Sequence, residues 1–187
     1  MINKVYGKNG FTLAELLLAI IILLLATGIV AGGIPAAINA YRKVVDAANA
    51  QILLTTTTTC LRDEFDLASD IKVKNIGTEG NPELVVEYTS PQRWRCVLKN
   101  VTSGEKGITV IKGFSDNSML LVSDHAAAET FYVTYDSVSI SDNVLTFSDL
   151  QVYKKGTNGS ADSVVPNVSL ESYKVKAIKK NVEVKDD

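Results

Sequence analysis

From Leu16 to Ile38 the chain runs for 23 residues without a charge. As a helix rising 1.5 Å per residue, that run is long enough to cross a bilayer core of about 30 Å. Glu15 sits at its lip, inside an apolar block that begins at Phe11. A carboxylate costs roughly 2.5–3.5 kcal/mol at the centre of a membrane helix and less near its end. An ionisable group in such a place points to a function, the plainer alternative being an interfacial residue that marks where the membrane begins.

The residues around this lip have a specific pattern. Lys4 and Lys8 precede Gly10-Phe11-Thr12-Leu13-Ala14-Glu15, and the uncharged run follows at once. The stretch resembles the prepilin signal of type IV pilins and pseudopilins, over about the first 40 residues. The resemblance implies that a membrane peptidase cuts between Gly10 and Phe11 and methylates the new amine of Phe11. It implies that Glu15, fifth in the mature chain, helps the subunit enter a filament. Ala14 stands where the family often has a larger aliphatic residue, and Pro35 falls three residues later than the proline many pilins carry. An ordinary secretory signal has a shorter core of 7–15 residues. Neither that signal nor an uncleaved signal anchor accounts for Gly10-Phe11 and Glu15.

Charge and cysteine content bound the remaining choices. The 187 residues carry 19 Lys+Arg against 21 Asp+Glu, a net charge of −2. Loss of Lys4 and Lys8 with a leader leaves 17 basic against 21 acidic side chains, a net charge of −4. That balance indicates no nucleic-acid partner. Lys4 and Lys8 before the span are matched by Arg42 and Lys43 after it, so the positive-inside count does not orient the chain. The family resemblance is what places the C-terminal domain outside the cytoplasm.

Gly28, Gly32, Gly33 and Pro35 predict a softened or kinked helix near 28–35. The helical period then continues to about Ser69. Ile38, Tyr41, Val45, Ala48 and Ile52 form one apolar stripe, and Leu54, Thr57, Leu61, Phe65 and Ala68 form a second on nearly the opposite side. The first stripe would face neighbouring subunits and the second the chain's own globular domain. The run Thr55–Thr59 is kept helical because the period spans it. Leu61-Arg62-Asp63-Glu64-Phe65 resembles the helix end of some minor pilins and pseudopilins, a solvated charged face being the alternative.

After Asp70 the pattern turns to short strands near 83–89, 93–101, 107–112, 118–123, 129–141, 144–153 and 172–178, with another at 181–185. Asp142-Asn143 marks a hairpin, and 154–167 reads as a long polar loop. In the strand around Arg93-Trp94-Arg95, alternation puts Trp94, Cys96 and Leu98 on the core face and the arginines outside. A disulfide between Cys60 and Cys96 would tie helix to sheet; two buried free thiols are the alternative.

Little in the chain suggests catalysis. His125 is the single histidine, there is no Cys-x-x-Cys and no phosphate-binding glycine motif. Asp186-Asp187 and the loop acids match no calcium-loop spacing. The expectation is therefore an α+β, type IV pilin-like chain with no enzymatic activity, no cofactor and no metal. It divides into a leader at 1–10, a transmembrane and filament-core helix at 11–35, an amphipathic continuation at 36–70 and an extracytoplasmic β-sheet domain at 71–187. The resemblance implies as partners other pilin or pseudopilin subunits, the prepilin peptidase, the inner-membrane assembly platform and the lipid bilayer. A minor subunit is favoured by the 61–65 stretch and by the lack of the C-terminal cysteine pair common in major pilins. A membrane-anchored extracytoplasmic binding domain with an uncleaved anchor is the alternative.

Overall fold

The computed structural model describes residues 11–77, 83–102, 104, 106–113, 118–122, 130–156 and 160–177. One helix, α1 (Leu13–Asp66, 54 residues), precedes nine antiparallel strands among the described residues. The arrangement is α+β, as the sequence predicts. The chain divides into two compact units, one ending at Val44 and one starting at Val45.

In the first unit every described residue from Phe11 to Val44 is exposed. This part of α1 is long and apolar enough to cross a membrane, with a mean hydropathy of 2.8. The helix runs on through Gly28, Gly32, Gly33 and Pro35 without a break in its assignment. Pro35 has no N–H to give to the preceding turn, and the helix continues past it.

The second unit holds two sheets. The first contains β1 (Ser69–Asn75), β2 (Leu84–Thr89), β3 (Arg95–Val101), β4 (Gly107–Lys112) and β5 (Ser118–Leu120), in sequential order. The second contains β6 (Phe131–Thr134), β7 (Ser137–Ser141), β8 (Val144–Lys154) and β9 (Ser163–Lys176). β6 and β7 share one side of β8, and β9 pairs along the other. The expected strand over 129–141 is thus two short strands, interrupted at Tyr135-Asp136. Ser141 pairs with Val144 across Asp142-Asn143, both at positive φ, which is the two-residue primed turn expected there.

The second apolar stripe of α1 is the one that packs. Ala50, Leu53, Leu54, Thr57, Leu61 and Phe65 are buried, in one core with side chains of both sheets. Phe65 bridges the layers: its ring centroid lies 4.9 Å from Tyr88 on β2 and 6.0 Å from Phe147 on β8. The first stripe is uncovered at Ile38, Tyr41 and Ile52. The five threonines lie within α1, and each hydroxyl donates to a carbonyl one turn back, from Thr55 to Gln51 through Thr59 to Thr55 at 2.8–2.9 Å. No threonine hydroxyl in the run then competes for the helix's own amides, and buried Thr57 keeps its polar atom satisfied.

Three further local expectations change. The helix stops at Asp66 rather than near 69–70, and Ser69–Asn75 forms β1, with Asp70 in the left-handed region at the turn into it. The polar segment 154–167 is a loop only in part, because β9 begins at Ser163 and contains Pro166 and Asn167. Both lie where the β8–β9 register shifts, and Asn167 has φ 63°, so a bulge accommodates a proline that a regular ladder would reject. Trp94 is not a core residue. It precedes β3, follows Arg93 at φ 65°, and is 55% exposed. Its ring covers Gly113, where a Cβ would come within 2.5 Å of the indole. Cys96 and Leu98 do point into the core, as alternation predicts. The 181–185 strand and His125 lie outside the described residues.

Candidate functional site

The N-terminal end of α1 is built around Thr12 and Glu15. Glu15 Oε2 accepts hydrogen bonds from the Thr12 backbone N–H and from the Thr12 hydroxyl, both at 2.9 Å. The Glu15 N–H donates in return to Thr12 Oγ1 at 3.3 Å. This is a capping box: the side chains at the first and fourth positions reciprocally satisfy donors that the first helical turn leaves without partners. The Thr-x-x-Glu spacing before an apolar run is its sequence signature, and Glu15 therefore has a local structural role that the family resemblance does not contain. Phe11 is 83% exposed. Gly10, the other half of the expected cleavage junction, lies outside the described residues.

Behind this cap the helix offers an uninterrupted apolar surface. Leu16, Ile20, Leu23, Leu24 and Ile34 are all more than half uncovered. Nothing lies within 4 Å of where a Cβ would stand at Gly28, Gly32 or Gly33. Small residues on such a surface let a second helix approach closely in lipid.

Residues 6–31 match the model of the prokaryotic N-terminal methylation motif. The chain carries the signal of a type IV pilin- or pseudopilin-type prepilin. Comparison with curated proteins and with solved structures gives no match.

The other candidate residues lie in the second unit. Cys60 and Cys96 are free, Cys96 fully buried and Cys60 partly so. Burial pushes both thiols above their ordinary pKa, aided at Cys60 by Asp63 and Glu64. The Cys96 Sγ–H donates to the Trp94 carbonyl at 3.5 Å. Glu64, in the stretch Leu61–Phe65, is not a solvated residue like its neighbours Arg62 and Asp63. It accepts from the Tyr88 hydroxyl at 2.7 Å and from Lys112 Nζ at 3.0 Å, joining α1 to β2 and β4. Periodicity alone could not find this contact, because Glu64 lies beside the buried stripe and its partners come from distant strands. Among the described residues, no cluster of three or more His, Cys, Asp or Glu side chains is placed to hold a metal.

Proposed function

We propose that this chain is a structural subunit, of the minor kind, of a type IV pilus or of a type II secretion-like pseudopilus. One observation carries the reading: the methylation motif lies on a helix whose apolar surface is uncovered on every side. Such a surface needs lipid before assembly and other helices after it. On this reading residues 1–10 leave as a leader, 11–35 lie in the bilayer and then in the filament core, and the domain from 71 onward is extracytoplasmic. The peptidase cuts between Gly10 and Phe11, the amine of Phe11 is methylated, and Glu15 serves assembly. The partners are the prepilin peptidase, the inner-membrane assembly platform and other pilin-like subunits. Leu61–Phe65 supports the minor assignment by its resemblance to the helix ends of such subunits.

Mass spectrometry of the N-terminus of the protein made in a host with its prepilin peptidase tests this. The expected product begins at methylated Phe11, and Gly10→Val leaves the precursor uncut. An intact Met1 in the wild type would instead favour a membrane-anchored binding domain with an uncleaved anchor.

A further inference from the structure

The outer face of the second sheet carries an unassigned cleft of about 460 Å³. That volume falls within the roughly 300–1,000 Å³ typical of small-ligand sites. Its wall forms because alternation puts Tyr132 and Thr134 of β6 on the outer face, opposite their β8 partners Tyr153 and Gln151. Core-facing residues on β8 are Leu145 and Phe147 before Asp149, and Leu150 and Val152 after it. Asp149, at φ 52°, therefore lies where the inward-facing phase of the strand changes, while its pairing with β9 runs on unshifted from Ser148 to Leu150. The facing strand breaks at the same level, at Tyr135-Asp136. The two irregularities bring Asp136 and Asp149 into the lining of one cleft.

The cleft's chemistry is one-sided. At one end the Tyr132 and Tyr153 rings stack 5.3 Å apart with 13° between their planes. From there a chain of hydrogen bonds runs along the sheet: Tyr153 donates to Gln151 Oε1 at 3.0 Å, and Gln151 Nε2 donates to Asp149 Oδ2 at 2.6 Å. This fixes the Asp149 carboxylate and leaves its second oxygen available to accept. Asn100 steadies the opposite wall, donating to the Tyr135 carbonyl at 2.6 Å. No Lys or Arg is among the described residues of the lining. Lys106 stands 5.9 Å from the Tyr132 ring centroid but is paired with Asp162, so the carboxylates set the charge of the cleft and bind hydroxyl donors through short, charge-assisted hydrogen bonds.

We propose that this cleft binds a neutral pyranose sugar, its C–H surface against the tyrosine pair and vicinal hydroxyls donating to Asp149 and Asp136. A pyranose has one apolar surface and a polar rim, and the cleft presents aromatic surface at one end and acceptors at the other. The inference concerns the β-sheet domain and does not depend on filament assembly.

The test uses the full chain in a zwitterionic detergent without a sugar headgroup. Methyl glucopyranoside, methyl galactopyranoside and N-acetylglucosamine are titrated while the tyrosine ring signals are followed by NMR. At least one should bind saturably and shift the Tyr132 and Tyr153 signals. Asp149→Asn, which keeps a residue tolerant of the left-handed backbone, should weaken that binding about tenfold or more, the loss of one strong hydrogen bond. Thr134→Arg, on the outer face, should block it with the circular dichroism spectrum unchanged. No saturable binding by any of the three, or binding that both variants retain, overturns the proposal. A lysine-rich peptide that binds where the sugars do not would also overturn it, the acidic lining then serving a cation.

Discussion

The Tyr88 hydroxyl donates to Glu64 at 2.7 Å, so the last turns of the long helix are fastened to β2 by a buried phenol. Tyr88 is essentially inaccessible, and burial, with Glu64 beside it, pushes its phenol far above the ordinary tyrosine pKa. Glu64→Ala should leave that hydroxyl unsatisfied and destabilise the domain by about 1–3 kcal/mol. The sign for pH follows from the raised value. The contribution of Tyr88 is complete below the unfolded tyrosine pKa of about 10 and is lost as pH rises above it. Unfolding midpoints measured from neutral pH to above 10 should fall on the alkaline side in the wild type and fall less steeply in Tyr88→Phe.

Asp162 should control the acid side. It accepts from Lys106 Nζ at 2.5 Å, Tyr132 Oη at 2.7 Å and the Gly156 N–H at 2.9 Å, and these donors, Lys106 first, hold its carboxyl well below the usual range. A depressed folded pKa stabilises above the unfolded value of about 3.9 and ceases to do so as pH falls through the folded one. Asp162→Asn should speed hydrogen exchange at the Gly156 amide at neutral pH. Equal protection of that amide in the variant would show that the loop is held by other contacts.

Glu15→Gln isolates charge from capping. Glutamine at the fourth position of a capping box still accepts from Thr12, so membrane insertion and domain folding should be unchanged. On the filament reading the uncharged variant should be poorly incorporated, because a buried amine at Phe11 loses its counter-charge. Shearing filaments from cells and blotting for the subunit decides the matter. Wild-type levels of the glutamine variant would reduce Glu15 to a helix cap at the membrane boundary.

The thiols make a direct check on the helix–sheet contact. With both cysteines free and raised in pKa, the folded protein should react slowly with a maleimide at Cys60 and not at Cys96. Unfolding without reductant should expose two reactive thiols. An unreduced mass lower by two hydrogens would instead identify the Cys60–Cys96 bond that the sequence permits.

Local periodicity and spacing were enough for the features that depend on nearby residues. The uncharged run, the buried stripe from Leu54 to Ala68 and the Asp142-Asn143 turn each follow from interactions within a few positions along the chain. Trp94 shows where such reasoning ends: alternation assigns it to the core, but Arg93 departs from extended backbone and the strand starts one residue later. Pro166 and Asn167 likewise look like loop residues, and only pairing with β8 makes them a bulge inside β9.

The helix, its apolar character and the signal at its start are each written in consecutive residues and can be read without the fold. It takes the folded chain to join Glu64 to Tyr88 and Lys112, to set Phe65 between two sheets and to line one cleft with Asp136, Asp149 and a tyrosine pair. Those contacts bring together residues from separate strands and the helix. They depend on strand pairing, and at Asp149, with φ 52°, the inward-facing phase of β8 changes although its pairing does not slip.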